Sequence, residues 1–533
     1  MLPPLGAPTQ RVRSVLPFIL FAFAAVLALM LAPDGASAQE AAPATNAVTA
    51  TTQPAADAAA AATPPWLSKI DTGSTAWMLV SSALVLFMVP GLALFYGGMV
   101  RAKNVLNMFL CCMVAIGVIG LHWIIVGYAL AFNVVTPETS LISLGTNPAA
   151  GDAIISLLSF DPSLLFLKAF NSDWGRMLTS GDTVGAVSTG VPEMAFVMFQ
   201  GKFAIITPAL IVGAVAERIR FGPFVLFMII WSTIVYCPVA HWVWNVNGWL
   251  FQKGVMDFAG GTVVHVLAGV SALAVCLVIG PRRGYGRVAM PPHSLGLTLI
   301  GAGLLWFGWF GFNAGSAVAI PGAELPVAGT VAALAFTNTQ VAAAAAATAW
   351  MLAEWMHQGK PTILGFASGM VAGLVVITPC AGHVLPWSAI VIGGIGGIVC
   401  YGGCRLKNVF KYDDSLDAFG VHGIGGAVGA LLVGIFAVRP VPGGMGQFVN
   451  QLIGVGVCAV FAFVLTFIIA LIIHKTIGLR ATEEQEFTGL DLSLHGERGY
   501  HLEDDMFAGA ADTAEGHPDA RGTAAVGAPG TAH

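Results

Sequence analysis

Two histidines and the carboxylates ahead of them are the residues whose type and setting could do chemistry here. The stretch Asp257-Phe-Ala-Gly-Gly-Thr-Val-Val-His265 opens one long apolar run, and Asp417-Ala-Phe-Gly-Val-His422 opens another. Each places a carboxylate at the head of a membrane-length segment and a histidine inside it. Ionisable side chains at such depth are costly and usually face a cavity or pathway. A lone intramembrane histidine can be a hydrogen-bonded structural residue. Two of them at matching positions of two segments point instead to one shared lumen, where one imidazole donates to the other. Such a pair can hydrogen-bond a small neutral polar solute without holding it as an ion. Asp257 and Asp417 can cap the free N–H groups of the helices they open. Asp257 can in addition bias a cation site at the entry.

The elements that must carry these residues are membrane helices. Of 533 residues, 56% are hydrophobic and only 10% charged, which leaves too little charge for the surface of a soluble domain. Mean hydropathy is +0.81. The formal net charge of −5 is small and gives no reason to expect a nucleic-acid partner. The eight cysteines form no paired CxxC motif, so neither a disulfide framework nor a metal site is expected. Apolar runs predict eleven helices, at 74–97, 105–133, 194–215, 222–240, 258–280, 294–316, 329–354, 361–380, 385–404, 418–438 and 449–474. The break at 134–192 is polar and mixed, and reads as a long loop.

Ahead of the first run, Arg11 and Arg13, the apolar stretch 15–32 and Ala36-Ser37-Ala38 have the layout of a secretory signal peptide over 1–38. An Ala/Thr/Pro-rich external leader, 39–73, follows and is expected to be disordered. Residues 475–533 form a cytoplasmic tail, expected to be disordered from about 507. Arg101, Lys103, Arg218, Arg220, Arg282, Arg283, Arg287, Lys360, Arg405, Lys407 and Lys411 fall in alternate loops. The positive-inside rule makes those loops cytoplasmic, the mature amino terminus external and the carboxyl terminus cytoplasmic. Helices five and ten share the Asp-to-His pattern, which suggests five plus five plus one, with the two halves inverted as in many transporters.

Aromatic side chains cluster toward the external ends: Phe199 and Phe203 on helix three, Trp242 and Trp244 before helix five, and Phe312 with Ser316 closing helix six. A ring face attracts a desolvated cation by about 1–2 kcal/mol, and a serine oxygen can accept a hydrogen bond from it.

The segments Phe95-Tyr-Gly-Gly98, Phe199-Gln-Gly-Lys-Phe203, Gly213-Ala-Val-Ala-Glu-Arg-Ile-Arg-Phe221, Asp257 to His265, Gly308-Trp-Phe-Gly-Phe-Asn-Ala-Gly-Ser316 and Phe419-Gly-Val-His-Gly423 closely resemble the ammonium transporter (Amt/Mep/Rh) family, its Amt branch above all. The resemblance spans about residues 74–502. It implies an all-α polytopic membrane protein of eleven helices, with pseudo-twofold inverted halves of five plus one extra helix, assembled as a homotrimer. It also implies a bacterial inner-membrane location, ammonium or ammonia as substrate with methylammonium as a candidate analogue, no cofactor, no metal and no enzymatic activity. Carried onto this sequence, Trp244, Phe203 and Ser316 resemble the external recruitment site and Phe203 with Phe312 the phenyl gate. His265 and His422 resemble the twin-histidine pore, and Asp257 the entry acid. The tail segments Leu479 to Phe487 and Ser493 to Tyr500, with Glu483, Glu484 and Gly496, resemble a regulatory region that docks a PII-type signal protein; the alternative is a solvated acidic tail.

The chain departs from that pattern in three places. Lys202 stands one residue from the gate where a small residue is usual, and is expected to snorkel away. The 134–192 segment is long enough to cover the entrance or touch a neighbouring subunit. The Trp244–Asp257 spacing is slightly long. The rival readings are a membrane-embedded ammonium sensor, expected to carry an appended signalling domain, and a membrane enzyme with a metal or haem between the histidines, which needs further ligands at that depth.

Overall fold

The computed structural model of the chain describes residues 70–148, 152–171, 175–179, 188–319 and 327–500. The expected signal peptide, most of the leader and the tail from 507 onward lie outside the described residues.

The eleven predicted runs each form a helix: α1 (Thr72–Met99), α2 (Ala102–Ala131), α3 (Glu193–Val215), α4 (Phe221–Trp244), α5 (Gly261–Ile279), α6 (Leu295–Gly315), α7 (Val327–Gln358), α8 (Ile363–Ile377), α9 (Pro386–Phe410), α10 (Phe419–Phe436) and α11 (Met445–Thr476). Ten are long and apolar enough to cross a membrane. The exception is α8, whose 15 residues rise only about 22 Å at 1.5 Å per residue, short of a hydrocarbon core about 30 Å thick. Capping side chains start several of these helices. Asp71 accepts from Ser74 N, Ser294 from Leu297 N and Thr362 from Gly365 N, each meeting an N–H that the helix itself cannot.

Packing follows the two sets of five. α1 lies along α6 and α5 along α10, so the first members of the two sets meet and so do the last, while α11 packs against α5 and α10. At the α5–α10 crossing a Cβ on Gly269 would sit 2.0 Å from Gly423 N, so only glycine lets the backbones meet there.

The 134–192 segment is not the irregular loop expected from sequence. It contains two antiparallel hairpins, β1 (Ser140–Asn147) with β2 (Ala153–Ser159) and β3 (Met177–Thr179) with β4 (Ser188–Pro192). The β2 strand is fixed to the end of α4: Trp242 Nε1 donates to Leu157 O at 2.7 Å and Ser156 N to Asn247 O at 2.7 Å. We call this the hairpin end of the bundle.

The opposite, basic end is held by ion pairs. Glu217 receives Arg101 (2.7 Å) and Arg282 (3.2 Å), and Asp413 receives Arg282 (2.8 Å) and the fully buried Arg218 (3.8 Å). The tail is docked here. α12 (Glu483–Thr488) starts on a Thr482/Gln485 capping box, buried Glu486 accepts from Arg480 and Arg283 N, and buried Asp491 accepts from Leu106 N and Asn107 N at the start of α2. A freely solvated tail is thereby ruled out for residues up to about 496. Glu483 and Glu484, expected to mark the segment, are exposed, whereas Glu486 and Asp491 make the contacts. Gly496 ends it at φ 68°, a left-handed turn suited to glycine.

Candidate functional site

The two histidine helices start with the same local device. α5 opens with a π turn, Gly261–Val266, that contains His265, and α10 opens with one, Phe419–Gly423, that contains His422. Such wide turns often mark functional positions, because they turn a side chain off the regular helical face. His265 and His422 are both buried; their Nδ1 atoms are 3.3 Å apart and their rings nearly parallel at 5.3 Å. One nitrogen of that contact must carry the proton and the other accept it. Among the described residues the Nε2 of His265 has no hydrogen-bond partner.

Above His265 the rings continue without a gap toward the hairpin end. Trp309 stacks on His265 at 5.3 Å, Phe312 lies 5.3 Å from Trp309 and 6.0 Å from His265, and Phe203 lies 4.3 Å from Phe312. Trp244 then meets Phe203 edge-on at 5.8 Å, and Phe199 packs on Phe203 at 4.9 Å. Ser316 closes α6 one turn beyond Phe312 and donates its hydroxyl proton to Phe312 O at 2.8 Å, which leaves its oxygen lone pairs as acceptors. The sequence-predicted gate, the recruitment rings and the histidines therefore belong to one column, with Trp309 inserted between Phe312 and His265 and Ser316 tied to it through Phe312 O. Trp242, also considered from sequence, is spent on the hairpin and is not part of it.

A narrow cavity of about 10 Å³ lies between His265, His422, Trp309 and Phe312, walled by aliphatic residues such as Leu92, Ile206 and Val371. That is the threshold for one water-sized solute. Aliphatic walls offer no ligands to replace an ion's hydration shell, so the cavity suits a small neutral molecule and opposes a cation.

Asp257 is buried, and both its carboxylate oxygens are committed to backbone. Gly260 and Gly261 donate to Oδ1 (2.9 and 2.6 Å), Thr262 and Val263 to Oδ2 (2.9 and 3.0 Å). Its carbonyl oxygen accepts from Trp244 Nε1 at 2.9 Å, so the cap of α5 also places the outermost ring.

Asp417 does not do the same for α10, contrary to the expectation from sequence. Asp414 does, accepting from Ala418 N (3.0 Å) and Phe419 N (2.8 Å). Asp417 is partly exposed, has φ 60° and pairs with Lys407 at 2.7 Å. The signal was present in the spacing: Asp414 precedes His422 by eight residues, as Asp257 precedes His265, while Asp417 precedes it by five.

Lys202 is half-buried and stands in helical register with exposed Met194 and Met198 on α3. Two groups were not singled out from sequence. Trp309 lies in a quoted motif but was given no role, and Thr378, whose oxygen holds its indole N–H at 2.9 Å, lies in no motif.

The profile of the Ammonium Transporter Family matches residues 76–500. The "Ammonium transporter" of Bacillus subtilis (strain 168) is 44% identical over 438 residues, which is 80% of this chain and 98% of that protein. Among solved structures, Saccharomyces cerevisiae Mep2 superposes with a TM-score of 0.67 at 32% identity, covering 83% of this chain and 97% of Mep2. A protein described as a "Sensor Amt Protein" also gives 0.67, at 28% identity over 79% of this chain and 98% of its own.

Proposed function

The chain belongs to the Ammonium Transporter Family and is a multi-pass membrane ammonium transporter, not an enzyme; on that premise we propose how its residues divide the work. Ammonium is recruited between Trp244, Phe203 and Ser316, where ring faces and a hydroxyl oxygen compensate for part of its lost hydration. At the Phe203–Phe312 pair it gives up its proton to water on the mouth side of the gate, and ammonia passes Trp309 to the cavity at His265 and His422. The histidines hydrogen-bond ammonia in turn, His265 through its unpartnered Nε2.

The observation that carries this reading is the column itself: six rings from Trp244 to His422 in sequential contact, with a narrow, mostly apolar cavity at its lower part. A cation is favoured at the top, where ring faces and a serine oxygen attract it, and opposed at the narrow cavity, whose lining offers little beyond the two histidines to replace its water. Deprotonation between the two is what that gradient requires. Asp257 serves the column by fixing Trp244 and the start of α5.

We further place the hairpin end outside and the basic end in the cytoplasm of a bacterial inner membrane, on the alternation of basic loops. Residues 1–38 act as the signal peptide. The protein works as a homotrimer, and the docked tail is the surface for a PII-type signal protein. These assignments rest on the sequence pattern and the resemblance. A sensing role is the second reading, favoured by the likeness to a solved sensor of this fold.

The decisive measurement is the response of proteoliposomes to an ammonium jump. The unmodified protein should give an ammonium-dependent flux, read as internal alkalinisation if ammonia crosses alone and as current if its proton crosses too, which His265→Ala and Ser316→Leu each reduce by about tenfold or more. Absence of any ammonium-dependent flux or current in the unmodified protein would sink the transport mechanism and leave the sensor.

A further inference from the structure

The short helix α8 ends where it does for a reason that the pore supplies. After Ile377 the chain runs without regular helix through 378–385 before α9 begins at Pro386. Irregular backbone at membrane depth persists only where protein groups satisfy it, and such breaks are concentrated at working parts of membrane proteins. Here Asn338 Nδ2 donates to both Ala381 O and Val384 O at 2.8 Å, and Phe258 N to Pro379 O at 3.3 Å.

The same few residues touch every element that holds the histidine pair. Thr378 Oγ1 gives its proton to Leu374 O (2.8 Å) and accepts the indole N–H of Trp309 (2.9 Å), whose ring is stacked on His265. The ring of Pro379 fills the space beside Gly261, the first residue of the π turn of α5, where a Cβ would meet it at 2.5 Å. Cys380 Sγ reaches Gly429 O on α10 at 3.2 Å, and a Cβ on Gly429 would lie 2.1 Å from Val376 O. One break therefore braces α5, α10 and the ring between Phe312 and His265.

We infer that the Thr378–Cys380 break is the positioning element of the histidine pair, and that Thr378, acting through Trp309, sets the tilt of the His265 imidazole. This rests on the reading of His265 as a pore residue. The hydroxyl of Thr378 has both its proton and an acceptor lone pair in use, so the indole N–H is held in one direction. Without that acceptor the indole can turn about its side-chain torsions, and the imidazole stacked on it loses its plane of reference.

The test compares Thr378→Val, which keeps the shape and removes the acceptor, with Thr378→Ser, which keeps the acceptor. In proteoliposomes Thr378→Val should lower the ammonium-dependent flux per assembled protein by about tenfold and change the methylammonium-to-ammonium ratio and the pH profile, while Thr378→Ser stays within about twofold of the unmodified protein. An unchanged ratio and pH profile in Thr378→Val, or a Thr378→Ser as impaired as the valine, overturns the inference. If Thr378→Val does not assemble by size-exclusion chromatography, Trp309→Phe decides on the same criteria, since it removes the donor and keeps a ring. Histidine-labelled protein gives a readout independent of transport. The 15N signals lost in His265→Ala should shift in Thr378→Val, and unshifted signals overturn the positioning role even if the unmodified protein carries no flux.

Discussion

At the hairpin end a single carboxylate, Asp257, accepts four backbone N–H groups at the start of the His265 helix. At the basic end Asp414, at the same distance ahead of His422, accepts only two, and it stands in a crowd: Asp413 beside it is tied to Arg282 and Arg218, and Asp417 to Lys407. Both ends face the same physical demand, because a helix that begins inside a membrane protein leaves N–H groups that no water can reach. At α5 the hairpin end meets it with one buried carboxylate and aromatic rings. The basic end meets it within a lattice of charges that also holds the tail. The difference fits the proposed division of labour, in which the hairpin end attracts a cation and the basic end holds the docked tail.

The largest expected effect separates the two caps. Asp257→Ala strands four buried N–H groups, at about 1 kcal/mol or more each, so roughly 4 kcal/mol is at stake. Asp414→Ala strands two and should cost about half as much. Thermal unfolding of the detergent-solubilised protein measures both, and Asp257→Ala should show the greater drop in Tm. The opposite order would break the comparison at its root.

Acidity should act on the basic end in two opposed ways. Burial, and then the neighbouring Asp417, push the Asp414 carboxyl up to about 6, against Lys407 and the N–H groups of Phe419 and Ala418. Burial also raises Glu217 and Asp413, but Arg101 and Arg282 outweigh it for Glu217, and Arg282 and Arg218 for Asp413; both finish below their ordinary values. A raised carboxyl contributes stability that is complete below its unfolded value, about 3.9, and is lost as pH rises through its folded one. A depressed carboxyl contributes above its unfolded value and loses it as pH falls through the folded one. Stability should therefore rise from pH 7 to 5 as Asp414 is protonated, and fall below about pH 4 as Glu217 and Asp413 are. Asp414→Asn should remove the first limb and Glu217→Gln weaken the second. Hydrogen exchange followed across this range should place the acid limb at 101, 217, 282 and 413; a loss centred on 257–263 would contradict the contrast between the ends.

How far the sequence carries these conclusions differs from part to part. The helices were legible because a spanning run must be apolar for about 20 residues, a demand that tertiary packing does not override. The column was legible as motifs, since Trp244, Phe203, Phe312, His265 and His422 stand in strings of distinctive residue types. The cap of α10 was misplaced by reading the nearest aspartate, when the eight-residue spacing of Asp257 and His265 already pointed to Asp414. The hairpins were hidden because β1 and β2 mix serine with leucine and isoleucine in a weak alternation inside a polar stretch. The tail contacts of Glu486 and Asp491 were hidden for another reason: burial of an acidic side chain depends on which backbone N–H groups arrive from elsewhere, here Leu106 and Asn107. The early end of α8 is of the same kind, since Thr378 gains its meaning only from Trp309, whose position in sequence gives no hint of it.

The smallest expected effect is also the sharpest check on the two caps. Asp417 was the sequence candidate for capping α10, yet its side chain is about a third exposed and its partner is Lys407. An ion pair that solvent reaches contributes at most about 1 kcal/mol. Its backbone, at φ 60°, sits in the left-handed region that asparagine tolerates as well as aspartate. Asp417→Asn should therefore change Tm little, well under the change from Asp414→Ala. It should still leave a trace at the cap, because the Asp417 charge is one of the causes that raise Asp414. With that charge gone, the Asp414 carboxyl should titrate at a lower pH, and the limb of the stability profile between pH 5 and 7 should move down with it. A Tm loss equal to that of Asp414→Ala, with the limb unmoved, would return the capping role to Asp417 and undo the match between the two histidine helices.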